Sequence, residues 1–243
     1  MLSLDKDDPR AIGVTAAIRA GDTNRLSAAL KANPGLETAV IRDDKGAGRT
    51  LLHMATDWPG HFPNVAATIT VLASAGVDPN AGLYDSPIDA CETPLHWAAS
   101  SDDVAAIDAL LDNGADIEAP GAVFTWGTPM SDAVIFAQWN AARRLLARGA
   151  KTTLTQAAAL GLDDRLRELC TGSEPAESEI AAALWHACRG GQQTTAEYLL
   201  GQGADLNWVG FMDWTPLQAA EDSGNRVLVE ALRSRGAVRA QGR

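Results

Sequence analysis

The stretch 92–118 constrains the fold of this chain more than any other, and it reads Glu-Thr-Pro-Leu-His-Trp-Ala-Ala-Ser-Ser-Asp-Asp-Val-Ala-Ala-Ile-Asp-Ala-Leu-Leu-Asp-Asn-Gly-Ala-Asp-Ile-Glu. Thr93 offers a hydroxyl to cap a helix, and Pro94 suits a first helical position, where its missing N–H costs nothing. Ala98 and Ala99 have almost no side chain, so a neighbouring helix pair can lie close. Val104, Ile107, Leu110 and Leu111 fall at helical spacing and make an apolar stripe along a second helix. Gly114 supplies the positive backbone angle that ends it.

The run Thr93-Pro94-Leu95-His96-Trp97-Ala98-Ala99, completed by Leu110-Leu111 and Gly114-Ala115-Asp116-Ile117, resembles the ankyrin signature. Aligned on it, the chain repeats the unit. An N-terminal cap is expected at 14–33, internal repeats at 50–80, 93–119, 128–151, 153–172 and 180–207, and a C-terminal cap at 215–238. The resemblance implies an all-α fold: a single ankyrin-repeat solenoid over 1–243, of about seven helix-turn-helix units with short β-hairpin fingers. Its core grows by stacking, so chain length does not count domains.

The departures from the pattern are informative. Between Thr56 and Gly76 the chain is five residues longer than between Ala99 and Gly114, and the excess lies in the Pro-rich, aromatic segment 57–64. The finger after Gly76 is lengthened by Leu83-Tyr84-Asp85-Ser86-Pro87. Before Thr153 most of a finger is missing, which breaks the hairpin row. Residues 34–48 read as a turn-rich connection. The charged first ten residues read as neither signal peptide nor anchor, and no run of 18 apolar residues occurs.

A formal net charge of -11 argues against nucleic acid and anionic lipid as partners. Three cysteines, Cys91, Cys170 and Cys188, have no paired metal spacing and fit free thiols in a reducing cytoplasm. No cofactor or metal is implied, because phosphate-cradling glycine loops, HExxH and nucleophile-elbow motifs are all missing.

The resemblance implies binding through the fingertips and the inner face of the first helices. Carried over by position, the residues after the His slot include Met54, Trp97, Asp132 and His186, and the next helical turn adds Asp57, Trp58 and Phe136. The fingers contribute Phe124 and Trp126, then Phe211 and Trp214. His53 and His96 occupy the slot, where the imidazole ties neighbouring fingers, and Trp185 replaces it. His61 lies outside the slot on the inserted loop. Asp132, set among Ile135 and Phe136, is the acid whose pKa desolvation would raise. The leading expectation is a module that clasps a protein or peptide with these aromatics. The alternative is an ankyrin-scaffold enzyme or receptor with the insertions roofing a concave pocket. It would take an apolar small molecule and use acid/base residues among Asp57, His61, Asp132 and His186 for cofactor-independent isomerisation, cyclisation or hydrolysis.

Overall fold

Fourteen α-helices, two single-turn 3-10 helices and three short strands make up the secondary structure of the residues described by the computed structural model, which are 1–85 and 91–240. Ser86 and Pro87 of the lengthened finger, and the last three residues of the basic C-terminal stretch, lie outside the described residues. The chain divides into two compact units, Met1–Ala150 and Lys151–Arg243. The division falls where the sequence loses most of a finger.

The first unit holds four helix pairs: α1 (Pro9–Ala20) with α2 (Thr23–Ala32), α3 (Leu51–Thr56) with α4 (Val65–Ser74), α5 (Pro94–Ser100) with α6 (Val104–Asp112), and α7 (Pro129–Ile135) with α8 (Trp139–Ala147). First helices pack on first helices, α1 on α3, α3 on α5 and α5 on α7, and the second helices follow suit from α2 to α8. Leu52, Leu95, Ile107, Leu110 and Leu145 are buried between the layers. Each such side chain contributes about 1.5–3 kcal/mol relative to exposure. The second unit holds α9 (Leu154–Leu160) with α10 (Asp163–Ser173), α11 (Glu177–Arg189) with α12 (Gln193–Gly201), and α13 (Pro216–Ser223) with α14 (Arg226–Ser234). Helix α11 packs between α9 and α13 around the buried Trp185 and Leu184.

One local device opens most first helices. A threonine stands at the N-cap, and the residue three positions on returns a side-chain acceptor to its backbone N–H. The pairs are Thr50 with His53, Thr93 with His96, Thr128 with Ser131, Thr153 with Gln156 and Thr215 with Gln218. Because Nδ1 of each histidine accepts, Nε2 carries the proton and reaches a backbone carbonyl, Glu92 O at 3.0 Å from His53 and Gly127 O at 3.4 Å from His96. In the second unit Trp185 fills the slot and its indole N–H donates to Trp214 O at 2.9 Å. The indole therefore ties the finger as the imidazole does, although it belongs to the core.

The N-terminal region departs from the sequence expectation. Strand β1 (Leu2–Asp5) runs parallel to β2 (Ala39–Arg42), which pairs antiparallel with β3 (Gly48–Thr50). The charged first residues and the turn-rich connection thus form a three-stranded sheet, with Leu4 opposite Ile41 in register. Helix α1 also starts earlier than the expected cap, because Asp8 accepts from Arg10 N and Pro9 takes the first turn. An antiparallel bridge from Gly48 to Tyr84 adds the lengthened finger to the sheet edge. In the fingers after α6 and α12 the described residues form turns, not strands, as in Gly121 N to Gly127 O and Gly210 N to Trp214 O.

The inserted segment 57–64 is tied to two other turns, through Asn64 at its end and His61 at its middle. Asn64 Nδ2 donates to Gly21 O at 3.1 Å, while His61 N donates to Asp103 Oδ2 at 2.7 Å and His61 Nε2 to Ser101 O at 2.9 Å. It therefore spans from the α1–α2 turn to the α5–α6 turn. No helix among the described residues is long and apolar enough to cross a membrane.

Candidate functional site

Trp97 projects from α5 into a cleft of about 300 Å³ whose lining includes Trp58, Phe136, Glu92, Arg49 and Asp57. Three contacts hold the indole. His53 meets it edge-on at 5.1 Å between ring centroids, the Arg49 guanidinium lies 5.3 Å from its ring, and its N–H donates to Glu92 Oε2 at 3.1 Å. Glu92 Oε1 accepts from Val123 N at 3.2 Å, so both oxygens are engaged. Burial pushes the Glu92 carboxyl above its usual range against the pull of those two hydrogen bonds. Asp57 holds Arg19 at 2.9 Å and Arg49 at 3.7 Å, which places a cation beside the tryptophan. The floor is rigid and the rim is not covered: Trp58 is 81% exposed.

Phe136 stands at the rim, where α7 ends, and packs edge-on against Phe124 of the preceding finger at 5.7 Å. Trp126, from the same finger, is 62% exposed. Asp57, Trp58, Trp97 and Phe136 are thus brought together, with Phe124 beside them.

The remaining expected residues lie elsewhere. His61 spends its backbone N–H and Nε2 on the 101–103 turn. Asp132 is on α7, only 1% exposed, and neither carboxyl oxygen has a hydrogen-bond partner among the described residues. Desolvation, aided by the charge of Glu92, raises its pKa to about 8. It is not among the residues lining the cleft. In the second unit His186 is half-buried edge-on against Trp185 at 5.0 Å, and burial lowers its pKa to about 4. Trp214 lies under the Arg189 guanidinium at 5.1 Å, and Phe211 packs against the same unit's core.

The charged lining residues Arg49 and Glu92, with Thr56 and Val123, escaped the sequence reading. Arg49 and Glu92 each stand immediately before the threonine that opens a first helix, the position Trp214 holds in the last repeat. Aligning that position alongside the one after the His slot would have found them. Among the described residues no group of three or more His, Cys, Asp or Glu is placed to hold a metal ion.

Residues 92–119, which supply Glu92, Trp97 and the turn that receives His61, match the family model described as ankyrin repeat. Comparison with curated proteins found no match.

Proposed function

We propose that this chain, whose residues 92–119 match the ankyrin repeat model, is a cytoplasmic binding module whose aromatic cleft recognises a protein or peptide. On this reading the helix pairs belong to a solenoid of about seven units that serves as a rigid display scaffold. The observation that carries it is the cleft over Trp97, with a fixed indole as floor and exposed Trp58 and Phe136 as walls. Exposed tryptophans around a preorganised pocket are the composition of binding hot spots, and a locked floor lowers the entropy lost on association. Glu92, Asp57 and Arg49 add polar groups that orient a bound side chain. The three cysteines are free thiols, which fits a reducing compartment.

The acid–base alternative draws less support, because Asp132 does not line the cleft and His61 is spent on the 101–103 turn.

The test is selection from a displayed random-peptide library on the full chain, followed by affinity measurement on variants. Trp58→Ala, whose side chain is mostly in solvent, should leave thermal stability unchanged and weaken selected peptides by roughly 2 kcal/mol. Selected peptides that bind Trp58→Ala and Phe136→Ala as well as the parent would overturn the assignment.

A further inference from the structure

Four of the chain's basic residues meet in one hollow of the unit Met1–Ala150. Lys6, Arg19, Arg42 and Arg49 line a hollow of about 540 Å³, against a single lining acid, Asp43. The rest of its wall is mostly apolar, Ile12, Ala16, Ile41 and Met54, with the hydroxyl-bearing Thr15. In a chain of net charge -11 the lining itself carries more cations than acids, although Asp7, Asp44, Asp57 and Asp85 pair with those cations from around it. The lining arises because the sheet, unforeseen in the sequence, lays Lys6, Ile41 and Arg42 beside α1 and the start of α3. Met54 holds on α3 the position that Trp97 holds on α5, so the hollow continues the same helix face, and Arg49 lines both sites.

The cations are held in place yet open to exchange. Arg42 Nε donates to Ser3 Oγ and its Nη1 to Gly46 O, which fixes the guanidinium on the sheet. Its carboxylate partner Asp85, and the partners Asp7 and Asp44 of Lys6, are all mostly exposed on loops. Such pairs are weak in water and yield to a better-placed anion. Arg19 and Arg49 share Asp57, and Arg49 also lies 3.8 Å from Asp43, long contacts that leave its guanidinium only loosely paired. Ile12 is 55% exposed at the edge of this ring of charge, an apolar surface with cations around it.

We propose that this hollow binds a small organic anion, a carboxylate or phosphate head group with a short aliphatic body. The head lies among Lys6, Arg19, Arg42 and Arg49, and the body rests on Ile12, Ile41 and Met54. The volume is that of a small-molecule site, and guanidinium forks match both head groups. A nucleic acid or an anionic membrane is disfavoured, because the acidic remainder of the surface would be drawn against it.

The experiment is methyl NMR of the full chain, labelled at Ile and Met, titrated with octanoate, octyl phosphate and 1-octanol below their aggregation limits. Saturable shifts at Ile12, Ile41 and Met54 with either anion, and affinity for octanol weaker by about tenfold or more, are expected. The tighter of the two anions assigns the head group. The double variant Lys6→Gln, Arg19→Gln should lose about tenfold in affinity while the methyl spectrum of the second unit is unchanged. Octanol binding as tightly as the anions, shifts centred on other methyls, or full affinity in the double variant would each overturn the proposal. Should the double variant unfold, salt decides on the wild-type chain: anion affinity must fall as ionic strength rises while octanol affinity does not.

Discussion

Asp132 makes the stability of this protein depend on pH in a direction that can be worked out in advance. Its carboxyl is buried on α7 without a hydrogen bond, and desolvation lifts its pKa from the ordinary 3.8 to about 8. Between those values the folded chain holds a proton that the unfolded chain has released. The unfolded state therefore binds fewer protons, and stability falls as pH rises. The contribution is fully present below pH 3.8 and is lost as pH climbs through about 8. At 1.36 kcal/mol per pKa unit the window is worth about 6 kcal/mol as a ceiling, comparable to the whole stability of a small domain. Three histidines, His53, His96 and His186, have pKa values lowered to about 4 and slope the other way. Only the difference between wild type and an Asp132→Asn variant is diagnostic. Asparagine still buries an unpaired polar group, which shifts the difference by a constant, but only the carboxyl can tilt it. Urea unfolding of both chains at several pH values between 5 and 8 should show the variant gaining on wild type by about 1 kcal/mol per pH unit. A difference that stays flat would mean that the folded carboxyl ionises normally, and the account of its burial would be wrong.

Further consequences follow from the capping and loop geometry. His96→Gln keeps an acceptor for Thr93 N, as Gln218 does for Thr215, and should cost about 1 kcal/mol at neutral pH. Because His96 is held neutral, its contribution is present above its ordinary pKa of 6.5 and lost as pH falls towards about 4. Urea midpoints across that range should show the variant less acid-sensitive than wild type. Gly21→Ala places a Cβ against the Pro63 carbonyl at a φ of +64°, and should lower stability by about 2 kcal/mol or more in thermal unfolding. Trp185→Phe removes the N–H that serves Trp214 O and opens space in the second unit's core. A loss of about 2 kcal/mol is expected in urea unfolding.

The helix pairs were legible because their signals are local. Thr-Pro openings, apolar stripes and terminating glycines are read within a few residues of each other and have direct counterparts in α5 and α6, whereas the side chain three positions on that closes each cap emerged only from the structure. Trp185 was legible as the residue in the histidine slot, but its N–H bond could not be seen because the accepting carbonyl lies 29 residues away. The sheet was missed for a related reason. Leu2 and Leu4 alternate over only four residues, and their partners in β2 are brought in by tertiary pairing rather than by a turn. The candidate site was legible in part. Trp58, Trp97, Phe136 and Asp57 converge as their repeat positions suggested, whereas His61 is turned onto the Ser101–Asp103 turn by bonds that nothing in its own segment announces. The burial of Asp132 was foreshadowed by its neighbours Ile135 and Phe136, but Arg49 and Glu92 stand two residues before α3 and α5, outside the helical pattern.

The seven indole N–H resonances, observed by nitrogen-15 correlation NMR while a library-selected peptide is added, test the binding face most directly. The account predicts saturable shifts at Trp97 and Trp58, with Trp185 and Trp208 of the second unit unmoved. Shifts confined to the second unit, or a tightly bound peptide that leaves Trp97 and Trp58 where they were, would contradict it.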